Sequence, residues 1–208
     1  VRLRFTKQGA ARFLSHHDLM RFFERAIRRA GLPVKMSQGF NPRPKFSIAA
    51  ALGVGVAAEQ EILDVEFGEN IAADVVRKRL AANLIPGIEV ISAEEVSRKS
   101  ARVAAACYEV QLPDDAVFAD DAVERLMSSE TLIVERTNKK KSKRIDIRPC
   151  ILDIQRSGLT VKMRLTVTDN GAARPEEVIA ALLSEPGYDR NRLRIVRTSV
   201  ELAPDEQI

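Results

Sequence analysis

The first residues alternate apolar and polar side chains with period two. Val1, Leu3 and Phe5 are set against Arg2, Arg4 and Thr6, which predicts a half-buried strand. The period then changes. Ser15 stands at a helix-cap position with Asp18 three residues on, and Leu19, Phe22, Phe23, Ala26, Ile27 and Ala30 follow at helical spacing until Gly31 and Pro33 stop the run. Arg21, Arg25, Arg28 and Arg29 fall mostly off that apolar stripe, so this helix is expected to bury one face and hold its cations in water. Strands are predicted near residues 34–37 and 46–56, and again where Leu63, Val65 and Phe67 alternate. A second helix after Asn70 runs to about residue 84, and Pro86-Gly87 ends it before a short strand at 88–91.

Polar, alanine-rich residues 92–104 separate this half from another with a similar run of elements. Residues 108–112 alternate, 121–128 suit a short helix, and strands at 132–136 and 145–154 flank a lysine-rich stretch. Residues 159–167 place Val161, Met163 and Leu165 inward and Lys162 and Arg164 outward. Pro175 opens a further helix, and 193–202 closes the sheet. Each half reads strand, helix, hairpin, strand, helix, strand. This predicts an α+β chain of two tandem ferredoxin-like (split βαβ) domains, residues 1–95 and 104–208, with antiparallel sheets covered by helices on one face.

Composition narrows the class. A chain of 208 residues with 45% hydrophobic content can bury a sizeable core, which argues against disorder. No apolar run approaches bilayer length, and no charged segment leads into a short hydrophobic stretch of the signal-peptide kind, so a cytoplasmic location without a membrane partner is expected. Cys107 and Cys150 lack the close spacing of a zinc or redox motif and read as free thiols. No metal or other cofactor is expected.

The net charge of +4 conceals segregation. Residues 1–45 hold eleven Lys and Arg against Asp18 and Glu24, whereas residues 46–98 carry four basic and nine acidic side chains. A second basic cluster, residues 136–148, has seven cations against Asp146. Segregated charge builds a field that a mixed surface cancels, and anionic polymers are the natural partners of the positive regions; charges that pair in space would instead leave only a solubilising surface.

Three segments are candidates for contact. In SQGFNPRPKFS, residues 37–47, Pro42 and Pro44 remove backbone donors and Gly39 permits unusual conformations, so the segment is expected to project as a shaped tip outside any sheet ladder. Its Gln38, Asn41, Arg43 and Lys45 suit a phosphate backbone, while Phe40 and Phe46 either stack on an unpaired base or anchor the tip to the core. At the start of the first helix, free backbone N–H groups with Arg12, Ser15, His16, His17 and, along its flank, Arg21, Arg25 and Arg28 suit an anion. The two histidines point about 100° apart on a helix and cannot chelate one metal as an i, i+4 pair would. His17 reads as a cap-region residue, a phosphate ligand or a catalytic base; His16 and His17 are the alternative catalytic candidates, without a visible nucleophile. The third segment, Lys139, Lys140, Lys141, Lys143, Arg144 and Arg148, is expected to be a mobile basic arm, with Arg148 and Asp146 alternatively an internal ion pair. If the arm and the first helix neutralised about five phosphates, affinity would fall with salt at a log-log slope near −4.5 on duplex DNA, and less steeply on a single strand.

The run Lys7, Gly9, Arg12, Phe13, Leu14, Ser15, His16, Asp18, Leu19, Met20, Arg21, continued through ERAIRRAGLPV and SQGFNPRP and joined by IDIRP at residues 145–149, resembles the radical SAM-linked protein family. This is a domain of unknown function encoded beside, or fused to the end of, a cobalamin-binding-type radical SAM protein. The resemblance implies a radical SAM partner more than an activity, and it makes His16 the histidine that matches the motif. With two cysteines the chain lacks the three-cysteine cluster motif of a radical SAM catalyst. Three functions follow as expectations: a non-catalytic RNA-binding or substrate-presenting accessory subunit of a radical SAM enzyme, an endoribonuclease using a first-helix histidine, or a protein-only adaptor of the radical SAM partner.

Overall fold

A computed structural model describes residues 1–97, 101–138, 141–168, 171–183 and 189–204. The chain divides into two compact units, one formed by Val1–Val103 with the chain end from Leu202, the other by Ala104–Glu201. Both are mixed α+β with antiparallel strand pairing, in keeping with the expected class.

The first unit contains β1 (Arg2–Lys7), α1 (His16–Arg29), β2 (Phe46–Ile48), β3 (Ala57–Val65), α2 (Ala73–Ala81) and β4 (Val90–Glu94). Across the sheet the order is β4-β1-β3-β2. Period two sends Leu3 and Phe5 into the core, opposite Leu63 and Glu61 of β3 in register. Against them α1 buries Leu19, Phe22, Phe23, Ala26 and Ile27. The Phe23 ring meets Phe5 edge-on at 4.8 Å and Phe22 at 5.4 Å. Each large side chain buried this way contributes about 1.5–3 kcal/mol, which is why so short a sheet holds its helix.

Two boundaries differ from the sequence expectation. The strand foreseen at 46–56 stops at Ile48, because the following residues turn through Gly55 at φ +87° and hand its N–H to the Arg12 carbonyl at 2.9 Å. The strand foreseen at 34–37 is reduced to two isolated bridges, Val34 to Phe67 and Met36 to Pro44. Gly87 is dictated by close approach: a Cβ there would lie 2.3 Å from the Gln8 carbonyl oxygen, and the Gln8 N–H donates to the Gly87 carbonyl at 2.7 Å.

The second unit contains β5 (Val103–Gln111), α3 (Ala122–Ser128), β6 (Ile133–Asn138), β7 (Lys141–Asp146), β8 (Ile151–Ser157), β9 (Thr160–Thr168), β10 (Gly171–Ala172), α4 (Pro175–Leu182) and β11 (Arg194–Leu202). β9 lies between β8 and β5, β11 follows β5, and β10 extends the far end of β9. Val161, Met163 and Leu165 are buried as their alternation requires, and Val178, Ile179 and Leu182 of α4 complete this core with Leu126 of α3. The lysine-rich stretch is not the loose arm expected from its charge. From Lys141 it is strand β7, paired with β6 from Ile133↔Asp146 to Asn138↔Lys141; Lys139 and Lys140 lie outside the described residues. The strand foreseen at 145–154 is broken by a 3-10 turn, Arg148–Cys150, built on Pro149, whose missing N–H cannot extend a ladder. Cys107 is half-buried and Cys150 buried, and neither forms a disulfide.

Candidate nucleic-acid interface

The start of α1 is built by a reciprocal cap. The Asp18 N–H donates to Ser15 Oγ at 3.2 Å, and the Ser15 hydroxyl donates to Asp18 Oδ2 at 2.6 Å. That hydroxyl bond, followed by the Arg21 charge, holds the Asp18 carboxyl below its usual range. The same cap bears on the expected anion site at the helix start. Asp18 already supplies a negative group there, and the Ser15 proton is committed to it. His16 is half-buried and His17 exposed, their rings edge-on with centroids 6.0 Å apart. Among the described residues no group of three or more His, Cys, Asp or Glu is placed to hold a metal ion.

Along α1 the picture is different. His17, Arg21, Arg25 and Arg28 are exposed, and at about 100° per residue they fall within an arc of roughly 80°. From His17 to Arg28 the row extends about 16 Å at 1.5 Å per residue. Arg21 stands 3.8 Å from Asp18 and Arg28 3.5 Å from Glu24, loose contacts of solvated side chains that add little stability and leave the guanidinium donors open to a ligand. Arg29 leans aside to donate to the Asn83 carbonyl at 3.0 Å.

Just before α1, Arg12 and Phe13 are exposed, and the Arg12 guanidinium lies over the Phe13 ring at 4.6 Å. Their backbone is pinned: the Arg12 carbonyl accepts from Lys7 Nζ at 3.0 Å and from the Gly55 N–H at 2.9 Å. Lys7 is fully buried, as is Glu61. The alternation of Leu3 and Phe5 already puts the next inward position at Lys7, whereas nothing local marks Glu61. Phe13 was missed, because an aromatic in an apolar motif reads as core; here it is 57% exposed.

The 37–45 tip is braced by its own backbone. The Ser37 N–H donates to the Arg43 carbonyl at 2.8 Å, Ser37 Oγ accepts from the Arg43 N–H at 2.9 Å, and the Lys45 N–H donates to the Lys35 carbonyl at 2.8 Å. Two of these bonds form the Met36–Pro44 bridge, so Pro44 does join a strand contact, contrary to expectation. Antiparallel pairing at that position uses the N–H groups of its neighbours, and a proline lacks only its own. The two phenylalanines part company. Phe46 is half-buried against the core, while Phe40 is fully exposed at 106%, beyond Gly39 at φ +124°. Gln38, Asn41 and Arg43 are exposed and Lys45 half-buried.

The tip and the start of α1 stand at opposite ends of the unit. Phe46 pairs with Val65 and Arg2 with Asp64 at one end of the sheet, whereas Lys7 and Ala58 mark the end at which α1 begins. About 21 Å of helix separates them, so the tip shares an end with Arg28, not with His17. At that end a cleft of about 260 Å³ is lined by Lys35 with Asp64, Glu66, Glu69 and Glu95, which gives it a negative wall.

In the second unit one of the expected contact cations, Arg148, is occupied. Arg148 donates to the Ile151 carbonyl at 2.9 Å and to the Met127 carbonyl at the end of α3 at 2.6 Å, so it is a structural tie and not an anion ligand. It is not an ion pair either, since Asp146 Oδ1 accepts from the backbone N–H groups of Leu132 and Arg148. Arg136 holds Glu177 with two bonds of 2.6 Å and donates a third to the Ala172 carbonyl, fastening the hairpin to α4. Lys143 and Arg144 are exposed.

A family model described as an uncharacterized protein conserved in bacteria (DUF2344) matches residues 1–175. No curated protein matches the chain. A solved structure titled Crystal Structure of a Cbf5-Nop10-Gar1 Complex holds a chain similar over 96% of the present one and 48% of its own length, at 12% identity and a TM-score of 0.42. The present chain thus spans about half of that one, and a likeness this slight supports no function. No helix among the described residues is long and apolar enough to cross a membrane.

Proposed function

The chain belongs to the bacterial DUF2344 family, and from that premise and the geometry of α1 we propose that it is a non-catalytic RNA-binding accessory module of a radical SAM enzyme. The observation that carries the RNA part is the row His17, Arg21, Arg25 and Arg28, exposed on one face of a helix whose other face is locked into the core. Successive side chains of the row rise about 6 Å, or 4.5 Å for the last step, so a polyanion lying along the helix meets a donor at each step. The radical SAM part rests on the resemblance of the Lys7–Arg21 run and the SQGFNPRP segment. We also infer that each unit is ferredoxin-like. The connectivity β1-α1-β2-β3-α2-β4 with sheet order β4-β1-β3-β2 supports that reading in the first unit, and β5, β8, β9 and β11 with α3 and α4 support it in the second.

The test of RNA binding is charge reversal on α1. Arg21→Glu, Arg25→Glu and Arg28→Glu combined should lower RNA affinity at least tenfold and reduce the magnitude of the log-log salt slope by about 2 on a single strand, where each neutralised phosphate contributes about 0.7. Unchanged affinity and slope would rule out α1 as the RNA surface. Co-expression with a radical SAM protein encoded beside it tests the partner: recovery of a complex supports the assignment, and separate elution of the two proteins opposes it.

A further inference from the structure

Two exposed aromatic rings lie toward the two ends of the first unit that α1 runs between, Phe13 just before the start of the helix and Phe40 on the braced tip at the end where the helix finishes. An exposed phenylalanine forgoes the stabilisation that burying its ring would contribute. Neither position is left to chance. The Arg12 carbonyl beside Phe13 is pinned by a buried lysine and a glycine N–H, and the tip carrying Phe40 is closed by three backbone-anchored bonds. The Arg12 guanidinium lies over one face of the Phe13 ring at 4.6 Å and sets a positive charge beside it.

Flat rings flanking a cationic row match the chemistry of a single-stranded nucleic acid, whose phosphates need donors and whose unpaired bases need stacking partners; a duplex keeps its bases stacked on one another. We infer that the ligand of α1 is a single-stranded RNA segment that lies along the helix and is held at its two ends by bases stacked on Phe13 and Phe40. This rests on the RNA-binding reading above and adds the form of the RNA and the limits of its path. The acidic cleft of Glu66, Glu69 and Glu95 beyond the tip repels phosphates and ends the footprint there.

The chain contains no tryptophan, so Phe13→Trp and Phe40→Trp each introduce a single indole reporter at an exposed position. With an unstructured single-stranded RNA of about twelve nucleotides, the indole of each variant should be quenched in step with binding measured by anisotropy. The same sequence annealed to its complement should not quench. Phe13→Ala and Phe40→Ala should each weaken single-strand binding by roughly tenfold without changing the thermal midpoint or the affinity for the duplex. RNA binding without quenching, or equal losses for duplex and single strand, would overturn the inference while leaving the RNA-binding reading intact. Failure of the unaltered protein to bind either RNA would overturn both. A Phe40→Ala variant that binds RNA normally but no longer captures a radical SAM protein would assign the tip to a protein partner and overturn the inference.

Discussion

Arg21 and Arg28 of α1 and Arg136, Arg148, Arg164 and Arg192 of the second unit are one residue type in opposite circumstances. On α1, Arg21 and Arg28 touch carboxylates only at 3.8 and 3.5 Å through highly exposed side chains. In the second unit Arg136 is bidentate on Glu177, Arg164 on Glu201 and Arg192 on Asp115, with nitrogen to oxygen distances of 2.6–2.9 Å for the ion pairs, while Arg148 is spent on backbone carbonyls. A guanidinium with two parallel bonds to a carboxylate has its charge matched and its donors filled, so it acts as a fastener. One held loosely on a helix face retains both for a ligand. Counting cations along the chain therefore overstates the second unit as a binding surface and understates how much of the useful charge lies on one helix.

The comparison breaks most visibly in stability. Arg136→Ala removes three hydrogen bonds and leaves Glu177 partly buried without its counter-charge, and Arg148→Ala orphans two carbonyls. Each is expected to lower unfolding free energy by about 2–3 kcal/mol, read as a shift in urea midpoint at constant slope. Lys7→Ala, which strips the pinned Arg12 carbonyl of a charged donor inside the core, should cost about 3 kcal/mol and also loosen Phe13, so protection of the 9–15 backbone from hydrogen exchange should fall with it. Arg25→Ala should change stability by no more than about 0.5 kcal/mol while weakening RNA retention. If Arg25→Ala unfolded the protein, or Arg148→Ala left it as stable as before while abolishing RNA binding, the division between fasteners and open cations would be wrong.

Acid titration sharpens the same contrast with smaller effects. Arg164 holds the Glu201 carboxyl below its ordinary value near 4.5, and Arg192 does the same for Asp115 from 3.8. A carboxyl whose folded value is depressed contributes stability that is present above the unfolded value and lost as pH falls through the folded one. Stability should therefore decline below about pH 4.5, and Arg164→Met should flatten part of that decline. On α1 the Asp18 carboxyl is lowered first by the Ser15 hydroxyl and less by Arg21, so Ser15→Ala should raise its value further than Arg21→Ala in an NMR titration. The opposite ranking would mean that the α1 arginines are more firmly paired than their distances indicate.

Local chemistry made some of this legible. The Ser15 cap, the apolar face of α1 and the inward series of β9 follow from residues within a few positions of one another, and the structure has all three. The 133–146 hairpin departs from the expected loose arm because a charge run lowers local strand preference, whereas pairing with β6 and the bonds of Arg136 to Glu177 and Ala172 are gained only when distant segments meet. The strand expected through residue 56 failed for the same kind of reason, since the turn at Gly55 is fastened to Arg12, forty-three positions earlier.

What the sequence determined by itself was periodicity and charge order: which faces are apolar, where α1 begins, and that the first forty-five residues hold eleven cations against two carboxylates. Periodicity is a property of neighbours, set by a rise of 1.5 Å per residue or an alternation of two, and it survives any tertiary arrangement. Which charges stay open was decided only by folding. Phe40 and Phe46 are six residues apart and chemically identical, yet one packs on the core and the other meets water; Arg25 and Arg148 are equally cationic, yet one is open and the other tied to two carbonyls. A side chain's availability depends on the groups that reach it from far along the chain, and those are brought to it by the topology of the sheet.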